Sequence, residues 1–138
     1  AFSPFKPGGL DRRLNEGSPV TDLNWEIHPE GLGALLKELH RRFPALAIFI
    51  TENGVADRSD RIRKDFTRSH LEQVLAAIAS GVPVEGYCHW TLMDNYEWAE
   101  GFGPRFGLFD HDWKTHLRTL RPSGEWLARV MKSNELLP

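Results

Sequence analysis

Apolar residues recur three or four positions apart in three stretches of the chain, and each stretch predicts an amphipathic helix. The first covers residues 29–43, because proline suits a first helical turn and Pro44 ends the pattern. The second covers about residues 61–80, with Arg63 on what we interpret as its solvated face, and the third covers about residues 122–132. The apolar positions expected to face the core in the second and third helices are Ile62, Phe66, Leu71, Val74, Leu75, Ile78, Trp126, Leu127, Val130 and Met131.

Two shorter segments predict strands. Residues 46–50 are continuously apolar, which is typical of a strand buried on both faces of a parallel sheet. Residues 84–90 form the second predicted strand, in which we expect Cys88 to pack. A strand, a helix and a strand in this order form a βαβ unit with a right-handed crossover, so the predicted fold class is α/β. Because a two-stranded sheet rarely stands alone, the chain is either a fragment or is completed by something else.

The remaining segments lack a helical pattern. Residues 1–28 are punctuated by proline and glycine and are predicted to form an irregular loop segment. Residues 91–121 form a long stretch without helical periodicity, and loops of that length are usually functional. Within it, residues 105–109 and 113–120 are expected to pair as a small hairpin.

Composition excludes several classes of protein. The chain has 138 residues and a formal net charge of −2, which fits one core and gives no basic surface for nucleic acid. No apolar run approaches the ~20 residues that a membrane helix needs, and the N-terminus lacks the apolar core of a secretory signal. The single cysteine rules out an internal disulfide and fits a reducing compartment. We therefore expect a cytoplasmic protein without a nucleic-acid or membrane partner.

A glutamate at the end of the first predicted strand is the first candidate for chemistry. Glu52 lies in a Thr-Glu-Asn-Gly segment at residues 51–54. In barrels of alternating strands and helices, the carboxyl ends of the strands carry the active site. A carboxylate held there suits a nucleophile that attacks an anomeric carbon. The alternative is a helix-capping or loop glutamate, and the strand position alone leaves both interpretations open.

The segment 90–98 follows the second predicted strand, so we expect it to open onto the same edge of the sheet. Trp90 and Trp98 offer flat apolar rings on which a sugar can stack, and Glu97 can accept hydrogen bonds from two hydroxyls. The alternative is a core-facing tryptophan pair beside an exposed glutamate.

Several residues are candidates for a metal site. Asp110, His111, Asp112 and His116 lie close together in sequence, but their spacing matches no known type of site. His70 lies beside the apolar positions of the second helix and is interpreted as a packing residue. The sequence therefore predicts no metal ion and no cofactor.

In order and at matching spacing, these motifs resemble the glycoside hydrolases of family 1, which include β-glucosidases and β-galactosidases. Any one motif is weak, but the whole series is highly specific and covers about residues 19–126. The matching segments are Thr21-Asp22, Trp25-Glu26-Ile27, Pro29-Glu30-Gly31-Leu32, residues 51–54, His70, residues 81–87, residues 90–98, Gly101-Phe102 and Arg105-Phe106-Gly107-Leu108. The departures are mild, since Asn24, Thr91 and Tyr96 stand where the family usually has glycine, serine and phenylalanine.

The resemblance implies a fold and a set of roles. Residues 1–138 would be the C-terminal part of one (β/α)8 TIM-barrel domain, with strands seven and eight and their flanking helices, incomplete as a single chain. By position, Glu52 would be the catalytic nucleophile, Trp90 and Trp98 would line the sugar subsite, and Glu97 would hold hydroxyls at the far edge of the ring. Because a glutamate repels phosphate, the implied substrate is a non-phosphorylated β-glucoside or oligosaccharide.

One essential group is missing from the chain. The family's acid/base glutamate lies in an Asn-Glu-Pro motif, and this sequence contains none. The expected function is therefore retaining hydrolysis of β-D-glucosides by a parent enzyme, in which the remaining barrel strands and the acid/base residue come from outside this chain. The isolated chain is expected to be inactive. Two alternatives stay open: a non-catalytic half-barrel or sugar-binding remnant that needs a complementing chain, and a thioglucosidase-like enzyme without the acid.

Overall fold

The computed structural model describes residues 17–137. The part of the predicted loop segment 1–28 that precedes Gly17 lies outside the described residues. The elements are α1 (Pro29–Arg42), β1 (Ile48–Asn53), α2 (Arg63–Ala79), β2 (Val84–His89), a 3-10 turn (Trp98–Glu100), β3 (Phe109–His111), β4 (Arg118–Leu120) and α3 (Pro122–Ser133). The predicted α/β order of helices and parallel strands is confirmed, with shifted boundaries.

The first sheet is an open pair of parallel strands rather than a closed barrel. β1 pairs with β2, with Ile50 opposite Tyr87 and Asn53 opposite His89. One face of the pair packs against α1 and α2 through a core of Leu36, Ile50, Val74, Ala77 and Val82. On the other face Phe49 lies against Gly86 and is 61% exposed.

The prediction that β1 is buried on both faces is therefore wrong for this chain. Both packing helices lie on the Ile50 side, and no element among residues 17–137 covers Phe49. The expectation that Cys88 packs within β2 is wrong as well, since Cys88 is exposed.

The buried side of α2 is more polar than its sequence pattern predicts. Its buried residues are Arg63, Phe66, Thr67, His70, Val74 and Ala77, whereas Leu75 and Ile78 are exposed. The helix begins under a cap from Asp57, whose carboxylate accepts the Ile62 and Arg63 N–H groups at 2.9 and 3.0 Å. Arg63, predicted to be solvated, is fully buried, because the Asp57 and Arg105 carbonyls and the Asp60 carboxylate are its partners there.

His70 is a packing residue, as predicted. Its Nδ1 lies 2.7 Å from the Phe66 carbonyl oxygen, and its ring stacks on the Phe66 ring with centroids 4.0 Å apart. Burial lowers the pKa of His70, which favours the neutral ring.

The small hairpin is formed only in part as predicted and consists of β3 paired antiparallel with β4: β4 lies within the predicted segment 113–120, but β3 shares only Phe109 with the predicted segment 105–109. Residues 105–108 are occupied elsewhere, because they bond to the segment that follows β2. The Thr91 N–H donates to the Phe106 carbonyl at 3.3 Å, and the Leu108 N–H donates to the Thr91 carbonyl at 2.9 Å. These bonds fix the segment 90–98 against the 105–108 segment.

In α3, Trp126 and Leu127 are buried as predicted, but Met131 is 75% exposed, contrary to prediction.

None of the helices within residues 17–137 combines the length and the apolar composition that crossing a membrane demands.

Candidate active site

Glu52 lies next to the carboxyl end of β1 with its side chain exposed. The chain then turns through Gly54, where a side chain has no room, because a Cβ would overlap the Trp90 carbonyl oxygen. The turn that follows Glu52 therefore lies directly against the residue that follows β2.

The carboxyl ends of β1 and β2 are tied together at this edge. The Trp90 N–H donates to the Asn53 carbonyl at 2.9 Å, and the Tyr87 hydroxyl donates to Asn53 Oδ1 at 2.8 Å. Burial raises the pKa of Tyr87, so the phenol stays protonated and keeps its donor. The predicted meeting of the two strand ends at one edge of the sheet is confirmed.

Trp90 and Glu97 form a direct pair. The indole Nε1–H donates to Glu97 Oε1 at 3.3 Å, and the Glu97 N–H donates to the Gly101 carbonyl at 2.7 Å. The Glu97 carboxylate is partly buried and retains acceptor capacity, since one indole N–H occupies only part of it.

Trp98 is arranged differently from its neighbours. It has a positive φ of 48° and is 82% exposed. A large flat ring that is held open to solvent is available for stacking by a ligand. That Trp98 lines the same subsite as Trp90 stays a prediction.

A buried aspartate supports the segment that carries Trp90 and Glu97. Asp94 is 1% exposed and accepts hydrogen bonds from Gly107 N at 2.8 Å and from Arg121 Nη2 at 2.9 Å. Arg105 Nη1 lies 3.3 Å from the same carboxylate. Burial disfavours the ionised form of Asp94, but Arg121 and the Gly107 N–H outweigh it and hold the pKa below its usual value.

A second buried network supports the loop that follows Glu52. Arg63 Nη2 donates to the Arg105 carbonyl at 2.8 Å and to the Asp57 carbonyl at 2.5 Å, while its Nη1 is paired with Asp60. The Asp60 carboxylate in turn accepts the Ser123 N–H at 2.9 Å, at the start of α3. The loop after β1 is thereby joined to the segment after Trp98 and to α3.

Four supporting residues are not predicted by the sequence patterns: Asp57, Asp94, Arg105 and Arg121. Asp57 lies five positions before Ile62, which precedes α2, so it does not occupy the N-cap position from which a capping aspartate is recognised in a sequence. Asp94 lies inside an aromatic-rich motif, and its partners Gly107 and Arg121 are distant in sequence, so the sequence offers no local signal for the pairing.

His89, at the end of β2, is held neutral. Burial and the nearby charge of Arg63 lower its pKa to about 4. Neither ring nitrogen has a hydrogen-bond partner within residues 17–137.

The sequence run that includes His111 and His116 forms a histidine pair rather than a larger cluster. His111 Nε2 lies 3.3 Å from His116 Nδ1, and the His111 ring packs against Trp113. In the described part of the chain, no three histidine, cysteine, aspartate or glutamate side chains converge as metal ligands would.

Comparisons with known proteins agree on one family. Glycosyl hydrolase family 1 matches residues 2–136. A 1,4-beta-D-glucan glucohydrolase of Thermotoga neapolitana is 40% identical over an alignment of 143 positions, gaps included, and the match covers 97% of this chain and 31% of that protein. A beta-galactosidase of Saccharolobus solfataricus is 48% identical over 107 residues, which cover 78% of this chain and 22% of that protein.

The solved structures are consistent with these relatives. The β-glucosidase from Thermotoga maritima in complex with galacto-hydroximolactam matches with a TM-score of 0.86 at 38% identity. The match covers 90% of this chain and 30% of that one. The chain therefore spans less than a third of the length of these relatives.

Proposed function

Because the chain belongs to glycosyl hydrolase family 1, we propose that it is the C-terminal part of an enzyme that hydrolyses β-D-glucosides with retention of configuration. Glu52 is the nucleophile in this proposal. The observation that carries it is the exposed carboxylate of Glu52 at the carboxyl end of a parallel strand, where the next residue, Asn53, accepts the N–H of Trp90, the hydrogen-bond partner of Glu97.

Retention needs two carboxyl groups about 5–5.5 Å apart. Glu52 attacks the anomeric carbon and forms a covalent glycosyl-enzyme, while the second group protonates the leaving oxygen and later activates water. That second group comes from the part of the enzyme outside this chain, since the chain has no Asn-Glu-Pro motif.

Trp90, Trp98 and Glu97 hold the sugar. The two indoles stack on its apolar face, and the Glu97 carboxylate accepts charge-assisted hydrogen bonds from hydroxyls at the far edge of the ring. A phosphate at that edge would meet the negative charge of Glu97, which favours non-phosphorylated β-glucosides and oligosaccharides as substrates.

The finer fold proposal is that β1 and β2 are strands seven and eight of a (β/α)8 barrel. The parallel pairing, the helices on one face only and the exposed Phe49 on the other face support it. The remaining strands would cover Phe49 and the free edges of the pair. We accordingly treat residues 1–138 as a part of one domain.

Trapping of the nucleophile tests the function. The full-length protein that contains this chain is incubated with a 2-fluoro β-glucoside, and the labelled peptide is identified by mass spectrometry. We expect the label on Glu52, and we expect Glu52→Gln to abolish hydrolysis of an aryl β-glucoside. Glu85 is exposed and lies at the opposite end of β2, so we expect Glu85→Gln to keep the activity. A label on another residue, or full activity of Glu52→Gln, contradicts the assignment.

A second candidate is a non-catalytic half-barrel that is completed by a second copy of itself acting as the complementing chain, and the exposed apolar surface around Phe49 and Leu46 favours it. Sedimentation of the 138-residue chain tests it. Self-association that Phe49→Ser weakens supports the candidate, and a stable monomer contradicts it.

A further inference from the structure

The carboxylate of Asp94 is the point at which three parts of the chain meet. Asp94 lies between Trp90 and Glu97 in the chain, and its side chain is buried. It accepts hydrogen bonds from Gly107 and from both terminal nitrogens of Arg121, the residue that precedes α3. Such a bidentate, charge-assisted pair fixes orientation as well as distance.

Arg105 connects this carboxylate to the loop that follows Glu52. Its guanidinium donates to Asp94 at 3.3 Å and to the His111 carbonyl at 3.0 Å. Its backbone carbonyl accepts the Asp57 N–H at 2.9 Å and Arg63 Nη2 at 2.8 Å. A continuous chain of hydrogen bonds therefore runs from the loop after the proposed nucleophile to the segment that carries Glu97.

Asp94 is also the last residue before Glu97 whose side chain is buried. Its own N–H donates to the Phe109 carbonyl at 3.2 Å, whereas the two residues that follow make only 3.5 Å side-chain contacts and an exposed ring contact before the Glu97 N–H donates to Gly101. The direction in which Glu97 points thus depends on where Asp94 is held. Buried ion pairs are weak evidence for stability alone, so a role in orientation is the better physical reason for burying this charge.

We propose that Asp94 is a positioning residue, which orients the Trp90–Glu97 pair toward the sugar through its bonds to Arg121, Arg105 and Gly107. The inference rests on the proposed function and extends it to a residue that does not touch substrate.

The test compares Asp94→Asn with Asp110→Asn in the full-length protein. Asp110 is a matched control, because it also pairs with Arg121, at 2.8 Å, but is half exposed and belongs to β3. We expect Asp94→Asn to lower kcat/KM for an aryl β-glucoside by about 100-fold, as a displacement of 1 Å does in an active site. Asp110→Asn is expected to change it by less than about fivefold, since partly exposed ion pairs contribute little.

A double-mutant cycle separates orientation from general structural damage. If Asp94 acts through Glu97, Asp94→Asn costs little further activity in a Glu97→Gln background, although it lowers Tm equally in both backgrounds. An equal fold-loss of activity in both backgrounds overturns the proposal. Arg121→Lys keeps the charge but loses the bidentate geometry, so we expect a smaller loss of kcat/KM that is again non-additive with Glu97→Gln. This variant replaces Asp94→Asn in the cycle if Asp94→Asn does not fold.

Hydrogen exchange distinguishes failure of this inference from failure of the proposed function. A wild-type protein that neither hydrolyses β-glucosides nor is labelled at Glu52 defeats the function. Independently of activity, we expect the Glu97 amide to exchange faster in Asp94→Asn than in Asp110→Asn, because its bond to Gly101 loses support. Equal exchange in the two variants overturns the positioning role.

Discussion

The guanidinium of Arg63 donates to the backbone carbonyl of Arg105 at 2.8 Å across 42 positions of sequence. This bond joins the start of α2 to the segment behind the proposed sugar site. Because the same guanidinium also binds the Asp57 carbonyl and the Asp60 carboxylate, one fully buried cation holds the whole loop that follows Glu52.

Replacement of Arg63 is expected to destabilise the protein severely. Arg63→Met removes the charged partner of the Asp60 carboxylate, which then keeps only its bonds from Ser123, and it removes a donor from the Asp57 and Arg105 carbonyls. Loss of one partner of a buried pair costs about 3–5 kcal/mol. Urea unfolding of the full-length protein measures the change. Arg61→Met, at an exposed position two residues earlier, is the matched control and is expected to stay within about 0.5 kcal/mol of wild type. A comparable stability of the two variants contradicts the role of Arg63.

The cap of α2 makes stability depend on pH in the acid range. Burial opposes ionisation of Asp57, but the Ile62 N–H, the Ser59 side chain and the Arg63 N–H outweigh it and hold the pKa below its usual value. A carboxylate whose pKa is lower in the folded than in the unfolded state stabilises the fold above the unfolded pKa of about 3.9. That stabilisation is lost as the pH falls through the lowered folded-state pKa.

We therefore expect Tm to fall as the pH is lowered below about 4, and to fall less steeply in Asp57→Asn, which has no carboxylate to protonate. At neutral pH the variant is expected to be less stable by about 0.5–2 kcal/mol, the range for loss of a helix cap. Thermal unfolding at several pH values measures both effects, and identical slopes for the two proteins would refute the assignment to Asp57.

The close approach of Gly54 to Trp90 predicts a strict requirement for glycine. In Gly54→Ala the new Cβ meets the Trp90 carbonyl oxygen, which is backbone and cannot rotate away. We expect a loss of about 1–3 kcal/mol in the free energy of unfolding, as overpacking causes, and a fall in activity because the ends of β1 and β2 separate. Gly103→Ala is the control, since its Cβ would lie at an ordinary 3.5 Å from the Glu100 carbonyl oxygen. Equal stability of the two variants counts against this contact.

How much the sequence reveals depends on whether a feature is set locally. Glu52 could be placed at a strand end because an apolar run followed by polar residues is a local pattern, and the parallel pairing of the two strands brings Trp90 against the next residue, Asn53. The burial of Arg63 could not be predicted, because a charged residue in a helical pattern is taken to be solvated unless its partners are known. Those partners include a carbonyl 42 positions away.

The exposure of Phe49 has a similar origin. A continuous apolar run predicts two buried faces, but whether the second face is covered depends on elements that the run does not encode. The apolar pattern of β1 thus indicates two buried faces, whereas the elements within residues 17–137 cover only the Ile50 face.

Charge at position 97 is expected to set the preference for non-phosphorylated sugars. In the structure the Trp90 indole nitrogen lies 3.3 Å from Glu97 Oε1. Glu97→Gln keeps an oxygen that can accept this indole N–H but loses the negative charge. Because hydrogen bonds to charged groups contribute about 1.5–3 kcal/mol, we expect kcat/KM for an aryl β-glucoside to fall by about 10- to 100-fold. Discrimination against the 6-phosphorylated glucoside should narrow, since its phosphate no longer meets a carboxylate. Steady-state kinetics on both substrates measure this, with Glu100→Gln, an exposed neighbour, as the charge-matched control. An unchanged ratio between the two substrates in Glu97→Gln would show that Glu97 does not face that edge of the sugar.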